Sequence, residues 1–317
     1  MTKTSEKDLR YLMSGEEIRK NKFNSIFLLI VFFSLIVGAG ALYGYLEGDV
    51  ITFTFITMAI TGAYLLFNFV TFKFMIKKSI NGRLVTKEAQ DEKLRTLYYI
   101  VERLSVGCNI KMPEIYVIPT NIPNAFATGF NHNNAIVGVT EGLLHMLDED
   151  ELEGVMAHEF AHIMNYDIRL KAVTIALTSS FVLLAEIIYR NMRVKGRSRN
   201  NNNDGKSTAL LFVVVLIILV FSRVISALLS SAISRQREYM ADTKAVRIVS
   251  NNRGLINALA KIGGYRPRYS KSEYEAQLGG NNLKSSYIYN HFSKKTASLF
   301  STHPPIEDRI QKLERTI

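Results

Sequence analysis

The sequence predicts an α+β chain, mainly helical and membrane-embedded, with four hydrophobic segments and a small sheet. Three observations carry that expectation. Of 317 residues, 48% are hydrophobic, a high share for a soluble chain. Two early runs, residues 26–46 and 51–72, contain no charged residue. Each is about 20 residues long, which at about 1.5 Å per helical residue matches a hydrocarbon layer of about 30 Å. Between residues 84 and 168, helical periodicity alternates with short β-prone pieces punctuated by Pro and Asn.

The first two runs flank a short Glu47-Gly48-Asp49 turn and read as an uncleaved helical hairpin. A secretory signal peptide competes for this stretch, since basic residues precede Ile26 and Ala39-Gly40-Ala41 is a small-residue site. The apolar run exceeds the usual h-region of about 7–15 residues, and a second span follows at once. The chain has a formal net charge of +11. Much of the excess flanks the hairpin, at Arg19, Lys20 and Lys22 and again at Lys73, Lys77, Lys78 and Arg83, as membrane anchoring requires and nucleic-acid binding does not. The same asymmetry places both ends of the hairpin in the cytoplasm. The single Cys108 excludes an internal disulfide and falls at a helix end or turn.

After the hairpin, Leu94, Leu97, Tyr98, Val101 and Leu104 recur at helical spacing within 86–105. Strands are predicted at 115–118, 125–130 and 135–139, the last two joined through the Asn131-His132-Asn133-Asn134 turn. One helix is predicted to begin near Thr140 and another near Asp148, where the Asp148-Glu149-Asp150-Glu151 cluster suits a helix N-terminus. Two further apolar runs, 172–189 and 209–233, include Glu186 and Arg223 and read as membrane segments or buried core helices. Their connection holds Arg190, Arg193, Lys195, Arg197, Arg199 and Lys206 against Asp204. A full crossing would put that charge outside, against the positive-inside rule, so the two runs either stay on one side or override it. The rest is polar and helical, with a loop around 279–282 and a short amphipathic helix over 306–313 started by Pro304 and Pro305. The domain division is therefore 1–78, a basic segment and transmembrane hairpin, and 79–317, interrupted by segments 172–189 and 209–233.

Chemistry concentrates in His158-Glu159-Phe160-Ala161-His162. Residues four apart share a helical face, so both imidazoles can reach one tetrahedral metal with Glu159 beside the water it activates. Catalytic zinc takes three protein ligands and an open position, so a third ligand must come from elsewhere. Within 234–242, Glu238 could ligate while Asp242, one turn on, orients an imidazole through its other nitrogen; a solvated face with local ion pairs is the alternative. Asp167 either supports the metal site behind His162 or ends the helix. His132, His145 and His291 read as structural or solvated. The predicted strand at 125–130, including Ala125 and Phe126, could be an edge that pairs with an extended substrate.

His158–His162, the downstream Ser234-Arg235-Gln236-Arg237-Glu238-Tyr239-Met240-Ala241-Asp242 and the terminal Ser301-Thr302-His303-Pro304-Pro305 occur in an order that resembles the HtpX family of integral-membrane zinc metalloproteases, relatives of the CAAX prenyl endopeptidases. The resemblance covers nearly the whole chain. It implies a gluzincin-like protease domain with one Zn2+ per chain held by His158, His162 and Glu238, and Glu159 as general base. It also implies that Asn124 lies beside the substrate and that His303 and Arg309 hold the substrate carbonyl or developing oxyanion. From the residues themselves, Asn124 reads equally as a turn residue, His303 as a helix cap and Arg309 as a surface charge. The implied partners are polypeptides, damaged or misassembled membrane proteins in a quality-control or stress response, and the lipid bilayer, with no nucleic acid. The implied location is the cytoplasmic membrane with the catalytic domain facing the cytoplasm. A membrane metal sensor or adaptor with structural zinc is the competing function, and it requires four protein ligands. A CAAX-type prenyl protease would need more spans than the four predicted here.

Overall fold

The computed structural model describes residues 6–173, 176–177, 235–265 and 304–315. Most of segments 172–189 and 209–233, the 279–282 loop, His291 and His303 lie outside the described residues. The chain divides into two compact units. One comprises Phe23–Phe72 and Val173–Leu229; the other comprises Met1–Lys22, Lys73–Ala172 and Ser230–Ile317.

Helix α1 (Glu6–Glu47) and helix α2 (Val50–Ser79) form the predicted hairpin. Gly48 turns the chain at φ 83°, a left-handed conformation open to glycine, and Asp49 Oδ1 accepts from Thr52 N at 3.1 Å to start α2. The two helices approach through small residues. A Cβ on Gly40 would stand 2.3 Å from Thr57, and one on Gly44 2.8 Å from the Asp49 carbonyl. Two stretches, Ile18–Leu42 and Val50–Thr71, are long and apolar enough to cross a bilayer. Their outward faces carry Ile30, Phe55, Phe67, Phe69 and Val70, each more than half exposed, which is stable against lipid and costly against water.

In the other unit, strand β1 (Arg83–Leu84) opens a four-stranded sheet with β2 (Glu114–Ile118), β3 (Ala125–Thr128) and β4 (Ile136–Thr140), in the order β1-β2-β4-β3. β2 and β4 run parallel, and the other neighbours are antiparallel. β1 was not predicted, because two residues carry no period. Helix α3 (Glu92–Gly107) starts six residues later than predicted: Asp91 caps it, accepting from the amides of Lys93 and Leu94, and Cys108 is its C-cap. β3 stops at Thr128 instead of Phe130, since Gly129 (φ 141°) and Asn134 Oδ1, which accepts from the amides of Phe130 and Asn131, turn the chain first.

Thr140 ends β4 and caps α4 (Glu141–Met146), and Asp148 with Glu151 forms a capping box on α5 (Glu149–Met164). Residues 167–173 are again helical, and helices α6 (Arg235–Val249), α7 (Arg253–Gly264) and α8 (Ile306–Glu314) follow among the described residues. α5 packs on α6, α7, α3 and β3 and is the buried axis of this unit, in a core that includes Leu97, Ile100, Val137, Val155, Phe160, Leu255 and Leu259. Along α5, Glu151 and every residue from Gly154 to Ile163 are buried. Such a helix holds polar side chains only where partners satisfy them.

Candidate metal centre

His158 and His162 lie on one face of α5 with 0% and 4% of their surface exposed. Their Nε2 atoms face each other at 3.2 Å. From α6, Glu238 places Oε2 3.5 Å from His158 Nε2 and Oε1 3.5 Å from His162 Nε2. These three ligand atoms lie within 4.8 Å of one another, the three-donor grouping found among the described residues.

The other ring nitrogens fix the tautomers. His158 Nδ1 lies 2.9 Å from Asp242 Oδ1, and His162 Nδ1 lies 2.8 Å from Asp167 Oδ2. A carboxylate only accepts, so each Nδ1 carries the hydrogen and donates it, which leaves both Nε2 lone pairs facing one another. Two lone pairs at that separation repel unless a cation lies between them. Nitrogen, nitrogen and carboxylate oxygen are ligands that zinc takes, and three ligands leave the fourth tetrahedral position for water or substrate. The donor set therefore fits a catalytic metal, and a four-ligand structural site is not formed among the described residues.

The electrostatics agree. Burial pulls the His158 imidazole towards neutrality, but the Asp242 and Glu238 carboxylates outweigh it and raise its pKa to about 9. In the metal-free chain a proton supplies the missing cation. Asp242, also buried, would be pushed up, yet Arg309 beside it holds its carboxyl below the usual carboxylate range. Arg309 is fully buried, and its Nε and Nη2 donate to the two Asp242 oxygens at 2.8 and 2.6 Å. Its Nη1, without a hydrogen-bond partner among the described residues, lies 3.9 Å from Glu238 Oε2. Arg309 thus departs from one of its sequence readings. It is not a surface charge, and its guanidinium faces the carboxylates behind the imidazoles, because α8 packs on α6 and directs Arg309 inward.

Glu159, 1% exposed, follows His158 on the same turn of α5. Asp167 follows the turn that ends α5 and returns its carboxylate to within 2.8 Å of His162 Nδ1. Asn124 is fully buried immediately before β3; its backbone N–H and C=O pair with the Thr140 hydroxyl and its Oδ1 accepts from Ala125 N. Ala125 and Phe126 are buried in β3, at the sheet edge that contacts α5, with the Phe126 ring over Gly138. His145 is exposed, and His132 packs against Tyr166 at 4.4 Å.

Sequence reasoning missed Asn21 and Arg237. Asn21 Nδ2 donates to Asp167 Oδ1 at 2.7 Å and to the Asn165 carbonyl at 3.0 Å, and Arg237 Nη1 donates to Asn21 Oδ1. A polar residue at the threshold of an apolar run was the available signal.

The profile of peptidase family M48 matches residues 91–317. A protease HtpX homolog of Streptococcus uberis is 35% identical over 305 residues, covering 95% of this chain and 99% of the relative. Another, from Streptococcus mutans serotype c, is 37% identical over 308 residues, covering 96% and 100%. Among solved structures, that of S. mikatae Ste24p aligns at a TM-score of 0.43 and 18% identity, over 94% of this chain and 66% of that one.

Proposed function

The chain belongs to peptidase family M48 and is a membrane metalloprotease; from that premise we propose that it is a zinc endopeptidase of the cytoplasmic membrane, acting from the cytoplasmic side on misfolded or damaged membrane proteins. The observation that carries the chemistry is the pair of facing Nε2 atoms closed by Glu238, with Glu159 on the same helical turn.

In this reading His158, His162 and Glu238 hold one zinc ion. When bound, zinc lowers the pKa of water to about 7 and polarises a carbonyl. Glu159 takes the proton of the attacking water and delivers it to the departing amide nitrogen. Asp242 and Asp167 keep both imidazoles in the ligating tautomer, and Arg309 holds Asp242 ionised and in place. The edge strand β3, with Ala125 and Phe126, offers backbone groups to an extended peptide beside α5, with Asn124 at its start and His303 stabilising the developing oxyanion. The catalytic part runs over 79–317, and the basic residues around the hairpin set its cytoplasmic orientation.

The test is Glu159→Gln in the full-length protein with an unfolded membrane protein as substrate. Cleavage is expected to fall about 10²–10⁴-fold with zinc content unchanged. Full activity in this variant, or activity that survives chelation, defeats the proposal.

A further inference from the structure

The turn after α5 delivers Asp167 back to His162, closed by its own backbone hydrogen bonds and braced from outside α5. Tyr166 sits at φ 61°, a left-handed conformation uncommon for a bulky side chain. Two consecutive residues of α1 hold this turn. Lys22 lies over the Tyr166 ring, 4.2 Å from its centroid, while His132 packs against the same ring at a tilt of 41°. Asn21, fully buried, donates both to the Asn165 carbonyl at the start of the turn and to Asp167 Oδ1 at its end. The opposite oxygen of the same carboxylate, Oδ2, is the one that meets His162 Nδ1. Arg237, one residue before Glu238, donates to Asn21 Oδ1 and so fixes which way the carboxamide points.

Asn21 lies within the candidate span Ile18–Leu42 and belongs to the same compact unit as α5 and α6. We propose that Asn21, on the first membrane helix, is a positioning residue of the metal centre: it fixes the Asp167 carboxylate that orients His162, and it is itself fixed from the strand of sequence that supplies Glu238. The first membrane helix is then part of the metal site's supporting shell as well as an anchor. This rests on the assignment of His162 as a zinc ligand.

A ligating imidazole binds metal well only when its ring plane and tautomer are set beforehand, and a carboxylate can set them only if its own rotation is arrested. Asp167 has one oxygen on His162 and the other on Asn21, with Arg237 Nη1 4.0 Å from that second oxygen, so removal of the Asn21 donor takes away the short hydrogen bond that arrests the carboxylate's rotation.

The experiment uses the full-length chain in detergent micelles, with zinc affinity read by competition against a chelator of known affinity and ligand geometry read from the absorption of the cobalt(II) form. Wild type is expected to take one zinc, and His158→Ala to lose it. Asp167→Asn is expected to weaken zinc by about 10–100-fold. Asn21→Leu is expected to weaken it by about 3–10-fold and alter the cobalt spectrum, with no further loss when added to Asp167→Asn, because both act through one carboxylate. Asn21→Ala removes the donor without adding a charge beside Asp167, and is expected to lose affinity likewise; it serves if the leucine variant does not fold. Wild-type affinity and spectrum in both Asn21 variants, or full additivity with Asp167→Asn, overturns the inference alone. A wild-type chain that takes no zinc overturns the ligand assignment and the inference with it.

Discussion

His158 is held between two carboxylates, and this makes metal uptake a competition with a proton. Its folded pKa of about 9 lies above the ordinary imidazole value of about 6.5. A raised folded pKa stabilises the metal-free fold fully below about 6.5, and that contribution is lost as pH rises through about 9. Thermal unfolding of chelated protein between pH 6 and 9.5 is therefore expected to show stability falling with pH, whereas zinc affinity in the same window rises because the displaced proton becomes easier to remove. Calorimetry at pH 7 in buffers of different ionisation enthalpy is expected to record proton release on zinc binding. The Arg309–Asp242 pair makes a second demand. Arg309→Met leaves a buried carboxylate without its main partner and is expected to cost about 3–5 kcal/mol by denaturant unfolding. Arg309→Lys is expected to recover part of this, since a point charge cannot reproduce the two-pronged contact. The pentapeptide that carries the chemistry was legible in the sequence because four-residue spacing on a helix is local geometry. Arg309's inward direction was not legible, because burial of a cation depends on which helix packs over it.

Between elements, the centre depends on how closely α5 meets its neighbours. α5 and α7 cross where two glycines face the partner backbone: a Cβ on Gly154 would stand 2.6 Å from Leu255 N, and one on Gly254 2.3 Å from the Asp150 carbonyl. Either substitution forces the helices apart, since backbone cannot rotate away as a side chain can. Gly254→Ala is expected to lower stability by about 1–3 kcal/mol and to weaken zinc binding through displacement of α5, measured by unfolding and by metal competition. The strand β3 shows the same division of information. Its existence was legible from Ala125 to Thr128, and its end was decided by Asn134 reaching back to the Phe130 and Asn131 amides. Likewise the helix was read from 86, although its apolar series begins at Leu94; over 86–91 the chain leaves β1, with Val85 N donating to the Ile115 carbonyl, and Asp91 starts the helix.

At the scale of the whole molecule, the proposed zinc centre ties metal binding to the fold. The candidate ligands drawn from α5 and α6 meet only in the folded chain, so a bound metal is expected to stabilise it by mass action, by about 4 kcal/mol when free zinc exceeds its dissociation constant a thousandfold. Chelation is expected to lower the thermal midpoint and abolish proteolysis, and zinc, but not magnesium, is expected to restore both. For the membrane arrangement, a cysteine placed as Asn201→Cys in a Cys108→Ser background is expected to react with a membrane-impermeant reagent only from the cytoplasmic side if segments 172–189 and 209–233 return without crossing. Labelling from outside would establish a full crossing.

The sequence by itself determined the hairpin, the candidate metal-binding pentapeptide, the candidate carboxylates at 238 and 242 and the resemblance that links them. Each is a local pattern of apolar length or helical spacing that needs no partner to be read. Only the tertiary structure decided that Glu238 closes the site from α6, that Asp242 serves His158 while Asp167 serves His162, that Arg309 lies buried behind them, and that Asn21 from the membrane helix supports Asp167. Those pairings join residues up to 216 positions apart, as between Asn21 and Arg237. Their energy comes from satisfying polar groups buried together, a condition that exists only once the helices have packed.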